Sequence, residues 1–132
     1  MPANHHIDNN NQLIITTWEG IACDIEFIEA IKHYQNNIQN RPDCITYNEV
    51  VDLSKVTSLK LTTEGIKTIG SIASNTDSKE LNKKLALIVN SNLAFGLARM
   101  YEAYRSFSNT SNKQIRVFKN SSDAFLWVKN NT

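Results

Sequence analysis

Residues Lys84 to Phe107 read KLALIVNSNLAFGLARMYEAYRSF. Leu85–Val89 is a short continuous apolar run, the pattern of a strand buried on both faces. Asn90–Asn92 is a polar turn. Leu97, Met100, Tyr101, Tyr104 and Phe107 then recur at helical spacing and mark the inward side of a helix. A buried strand feeding a helix is half of a βαβ crossover, which predicts an α/β chain built on a mostly parallel sheet.

Working outward, Gln12–Trp18 (QLIITTW) is rich in β-branched residues and predicts a strand ended by Glu19-Gly20. Asp24 is placed to cap a helix with Phe27, Ile28, Ile31, Tyr34, Gln35 and Ile38 along one face at helical spacing. Pro42 requires that helix to end near Asn40. Cys44–Leu53 is a second strand. Asn48 and Glu49 interrupt its apolar run, which predicts one exposed end. Ser54–Leu61 reads as loop. Thr62 or Thr63 caps the next helix, whose stripe is Ile66, Ile69, Ile72 and Ala73 and which Gly65 and Gly70 weaken. After the opening stretch, Gln114–Phe118 alternates as a strand, and Ser121 or Ser122 caps a last helix with Ala124, Trp127 and Val128 inward. The Asn-rich segment 1–11 has strong turn chemistry at Asp8–Asn11, and His5–Ile7 is an arm for a hairpin with the next strand. The expected architecture is one domain over residues 1–132, with a four-to-five-stranded mostly parallel sheet and four helices.

The bulk properties narrow the function. In 132 residues, hydrophobic content of 41% and charged content of 20% suit a globular chain with a real core. Net charge is +1 and the basic residues are scattered, so no nucleic acid is expected. No apolar signal core or membrane-length run is visible, which predicts a cytoplasmic protein whose Cys23 and Cys44 are reduced, buried hydrophobes. Adjacent His5 and His6 lack further ligands at useful spacing, and His33 stands alone, so no metal and no cofactor is expected. No G-x-S-x-G elbow, Walker loop or Gly-rich dinucleotide loop is present, and no enzyme is predicted. Asn109-Thr110-Ser111 and Asn120-Ser121-Ser122 match a glycosylation acceptor only as Asn- and Ser-rich chains do by chance.

In open parallel sheets ligands bind beyond the C-terminal strand ends. Asp52 and Ser54, Thr62 and Thr63, and Asn90, Ser91 and Asn92 fall there, beside two helix N-termini that attract anions. Turn and cap chemistry calls for the same residue types at these positions. Arg99 would hold an anion or pair with Glu102 or Asp52. Tyr101, Tyr104 and Phe107 serve either the core or a docking or dimer surface.

The segment Val51-Asp52-Leu53-Ser54-Lys55-Val56-Thr57 and the strand–helix alternation resemble the anti-sigma-factor-antagonist domains of STAS, or SpoIIAA-like, fold. Trp18-Glu19-Gly20, Leu87-Ile88-Val89, Phe95-Gly96-Leu97-Ala98-Arg99-Met100-Tyr101-Glu102 and Ala124-Phe125-Leu126-Trp127-Val128 are similar to small bacterial proteins of that superfamily, some described as lipid-binding by analogy. The resemblance implies a SpoIIAA-like fold and a non-catalytic module that binds a protein partner or a second copy of itself. Its alternative is a carrier or sensor of a lipid or small anion. Regulatory members carry a phosphorylated Ser or Thr at the start of the second helix. Their pattern sets an acidic residue before a Ser-Ser or Ser-Thr pair and a Gly after it. Here Leu61 precedes Thr62, and Glu64 separates Thr63 from Gly65.

Overall fold

A computed structural model describes residues 3–39, 41–75, 82–106 and 113–130. Its strands are β1 (Ala3–Asp8), β2 (Leu13–Cys23), β3 (Asn48–Lys60), β4 (Lys84–Ile88) and β5 (Gln114–Phe118). Its helices are α1 (Asp24–Tyr34), α2 (Thr63–Ser74), α3 (Asn92–Ser106) and α4 (Ser121–Lys129). The strands lie in chain order in one five-stranded sheet, with β1 antiparallel to β2 and every later pair parallel.

Unreversed strand order has a geometric consequence. Successive right-handed crossovers leave their helices on one face of the sheet. Trp18, Leu53, Leu85 and Leu87 meet Phe27 of α1, Ile69 of α2 and Ala98 of α3 on that face. Leu13, Val50, Ala86 and Ile88 meet Ala124 and Val128 of α4 on the other. The alternation along β4 supplies both cores at once, and all five of its residues are buried. Trp18 stacks on Phe27 with ring centroids 4.1 Å apart.

The N-terminal hairpin forms as expected. Asp8 accepts hydrogen bonds from the Asn11 backbone N–H at 3.2 Å and from its side-chain amide at 2.8 Å. Several boundaries differ from the sequence reading. Glu19-Gly20 does not end β2. The strand shifts register on either side of that pair, with Gly20 at φ 77°, and runs on to Cys23. Such a bulge hides a strand from a period-two search, because the inward positions slip by one. The partner strand β3 extends with it, so Ser54 and the residues up to Lys60 are strand rather than loop. Cys44 to Tyr47 instead form a chain of turns before β3.

The caps differ in a similar way. Cys23 rather than Asp24 precedes α1, and its side chain makes no cap bond. Asn120 rather than Ser121 or Ser122 caps α4, accepting from the N–H groups of Ser122 and Asp123. Thr62 caps α2 as expected, accepting from Gly65 N–H at 2.9 Å. Cys44 is buried but Cys23 is partly exposed. Lys84 donates to the Trp127 and Asn130 carbonyls at the end of α4, where a cation complements the helix dipole.

Both glycines of α2 have packing roles that propensity alone hides. A Cβ on Gly65 would overlap the Asp24 carboxylate, and one on Gly70 would press the Tyr104 ring. Gly65→Ala should therefore destabilise the fold by about 1–3 kcal/mol despite its better helix propensity. Urea unfolding should show a lowered midpoint with an unchanged slope; a gain in stability would contradict the packing role.

Candidate functional site

The residues singled out at the strand ends are occupied with one another. Asp52 accepts from Ser54 N–H at 2.9 Å, and the Asn90 amide donates to the Ser54 carbonyl at 2.6 Å. Ser91 Oγ caps α3 by accepting from Ala94 N–H, and Asn92 Oδ1 accepts from Lys119. Thr62 donates through its hydroxyl to Asp24 at 2.6 Å and through its N–H at 3.0 Å. The Asp24 carboxylate thus already stands at the N-terminus of α2. Thr63 opens α2 on the exposed side. Arg99 pairs with Glu102 at 3.4 Å, its side chain largely in solvent. Asp52, Ser54 and Asn90 are therefore brought together, whereas Thr62 and Arg99 belong to separate contacts. Tyr104 lies over Gly70, Tyr101 faces inward, and Phe107 falls outside the described residues.

The opposite end of the sheet gathers a different set. The side chains of the α1–α3 face do not fill the space beneath the helices, and a cavity of about 140 Å³ remains. Trp18, Phe27, Leu53, Leu59, Leu87 and Ala98 line most of it. Helices antiparallel to the strands bring their C-terminal ends over the strand starts. There the wall turns polar, with His5, Thr16, Tyr34, Glu49, Arg105 and Lys113.

Glu49 is the centre of that polar wall, not part of an exposed strand end. It is only 5% exposed. A lone carboxylate at such a place would be costly, so its oxygens collect donors. Lys113 Nζ lies 2.6 Å and Lys83 Nζ 3.2 Å from Oε1. Tyr34 donates to Oε2 at 2.9 Å, and the Gln39 amide lies 3.3 Å from Oε1. Burial alone would push the Glu49 carboxyl up, but Lys113 and Lys83 more than reverse this and hold it at about 2. Burial, with Glu49 alongside, pushes the Tyr34 phenol well above its usual range.

A π-helical turn, Gln35–Gln39, carries α1 into this region and aims both glutamines inward. Gln35 donates to the Ile72 carbonyl at 2.7 Å, tying the turn to α2. His5 Nδ1 and Thr16 Oγ1 are hydrogen-bonded at 2.7 Å across the β1–β2 ladder. His5 Nε2 is buried without a hydrogen-bond partner. Burial, with His33 nearby, pushes the His5 imidazolium down and favours the neutral ring. Arg105, 7% exposed, donates to the Tyr101 hydroxyl at 2.8 Å. Among the described residues, no group of three or more His, Cys, Asp or Glu is placed to hold a metal ion, and no helix is long and apolar enough to cross a membrane.

A five-stranded, mostly parallel sheet in chain order, with α1–α3 on one face and α4 on the other, is a SpoIIAA-like fold. The chain is similar to the crystal structure of an uncharacterized protein of the DUF3478 family, of SpoIIAA-like fold, from Shewanella loihica PV-4. The TM-score is 0.58 over 96% of this chain and 91% of that one. At 12% identity the likeness is one of fold alone. No family model and no curated protein matches the sequence.

The Glu49 cluster makes stability depend on acid. Above the ordinary value of 4.5 the carboxylate is charged in folded and unfolded chains alike, and its contribution is fully present. As pH falls from 4.5 towards 2, the unfolded chain takes up the proton first and stability declines. The loss should reach roughly 3 kcal/mol, since each pH unit of separation contributes about 1.4 kcal/mol. Glu49→Gln should flatten this part of the curve while lowering stability at pH 7 by about 3–5 kcal/mol, because Lys83 and Lys113 lose their buried counter-charge. Urea titrations between pH 2 and 7 measure both.

Proposed function

We propose that this protein is a non-catalytic carrier or sensor that binds a small molecule in the cavity beneath α1–α3. The observation that carries the reading is the cavity itself: about 140 Å³, walled by apolar side chains, with polar groups gathered at one end. Binding sites for small molecules combine an apolar lining with a few converging polar groups. An apolar cavity of about 150 Å³ is large enough to admit benzene. The absence of nucleophile, phosphate-binding and dinucleotide motifs from the sequence supports a binding rather than a catalytic role.

The second reading is an interaction module for a protein partner or a second copy. Ile21, Ile25 and Leu93 favour it, each more than half exposed at or beyond the C-terminal strand ends. An extended apolar surface at that end would suit a partner. Sedimentation velocity on the chain and on Ile25→Asp separates the two readings. A dimer abolished by the substitution would support the module.

Ala98 projects from α3 into the cavity. In saturated benzene solution the chain should melt higher, by the stabilisation any ligand of the folded state gives, about 1.4 kcal/mol at ten times its Kd. Ala98→Leu should fill the space and remove most of that shift while leaving a folded protein. Differential scanning calorimetry with and without benzene is the check. An equal shift in both proteins would place the benzene elsewhere.

A further inference from the structure

We infer that the cavity selects an uncharged molecule, a single ring or a chain of a few carbons, and rejects ions of either sign. This rests on the reading of the cavity as a binding site and specifies the class of its ligand. Two features of the site lead to it. The first is space. Trp18, Phe27, Leu53, Leu59, Leu87 and Ala98 line most of about 140 Å³. An apolar cavity of about that size admits one ring, and a long acyl tail finds no room in it.

The second is that the polar wall is already committed. Glu49 Oε1 receives Lys113 at 2.6 Å and Lys83 at 3.2 Å, with the Gln39 amide at 3.3 Å. Tyr34 donates to Oε2 at 2.9 Å. Arg105 donates to the Tyr101 hydroxyl at 2.8 Å and lies over the same ring. Arg105 and Lys113 each have interactions besides these. Gln35 donates to the Ile72 carbonyl, and His5 Nδ1 and Thr16 Oγ1 share a hydrogen bond. His5 Nε2 makes no hydrogen bond, but burial favours the neutral ring, so it offers an ion no counter-charge.

An ion leaves water at a steep cost and needs partners of its own inside a protein. A ligand carboxylate would have to draw Lys113 from Glu49 or crowd beside that like charge. A ligand ammonium would have to draw Glu49 from Lys113 and Lys83. Either exchange breaks one buried pair to make another. An uncharged molecule breaks nothing, and its apolar surface leaves water for the lining.

The test is isothermal titration calorimetry on the whole chain at pH 7. Toluene, benzoate and benzylamine each carry one ring and differ in charge, and 1-hexanol and 1-decanol differ in length. Toluene should bind at least tenfold tighter than benzoate or benzylamine, and 1-hexanol at least as tightly as 1-decanol. Ala98→Leu should weaken toluene binding at least tenfold. The comparison of probes on the unaltered chain decides the matter even where that variant does not fold. Benzoate or benzylamine binding within tenfold of toluene, or tighter, would overturn the uncharged class and leave the cavity reading standing. 1-Decanol binding tighter than 1-hexanol would overturn the small size in favour of a long chain. Toluene binding equally to Ala98→Leu, or failure of every probe with no benzene shift, would overturn both the uncharged class and the cavity.

Discussion

A carboxylate buried under three helices constrains everything around it. Glu49 lies at the start of β3, Lys83 directly before β4 and Lys113 directly before β5. Tyr34 ends α1 and Gln39 ends the turn after it. Parallel pairing sets the three strand starts side by side, so one anion draws cations from both following strands. The charge is tolerated because these partners arrive together, and removing Glu49 would leave two buried cations without their counter-charge. The cluster therefore fixes the register of β3, β4 and β5 at one edge of the α1–α3 core and sets where the chain must enter β3.

The two ends of the sheet consequently do different work. At the C-terminal strand ends, Asp24 holds Thr62, Asn90 holds Ser54 and Asp52 closes on its own strand. Polar groups there satisfy each other, which suits turns and caps. At the N-terminal ends, helix C-termini converge with basic side chains over an incompletely filled core. Open α/β sheets ordinarily bind ligands at the C-terminal ends. Here the concave, mixed-polarity space lies beneath the helices, and its polar wall is at the other end.

Much of the fold was legible in the sequence, because each βα unit carries its own punctuation. KLALIV, the Thr62 cap and QIRVF lie where the structure has them. The extensions of β2 and β3 were not legible, since a bulge at Glu19-Gly20 breaks the alternation that would reveal them. The strand-end residues could be placed, but not their pairing, which depends on contacts between segments distant in the chain. Glu49 was hidden for a related reason: alone, a glutamate in a strand looks like a solvent-facing interruption. The signal was relational. A Lys stands directly before each of the next two strands, and a parallel sheet brings those positions beside it. The cavity left no trace, because a packing deficit belongs to the assembled core rather than to any residue.

The π-helical turn links this chemistry to chain length. Such a turn holds one residue more than the α-helical turn it replaces. A one-residue deletion between Gln35 and Gln39 would restore ordinary helix at small local cost. It would also swing every following side chain by about 100°. Gln39 would leave Glu49, and the path from α1 into β3 would shorten. In descent, a single insertion or deletion in this turn would reshape the polar wall more than most substitutions, so relatives that lack the extra residue should hold a differently built wall over the same sheet.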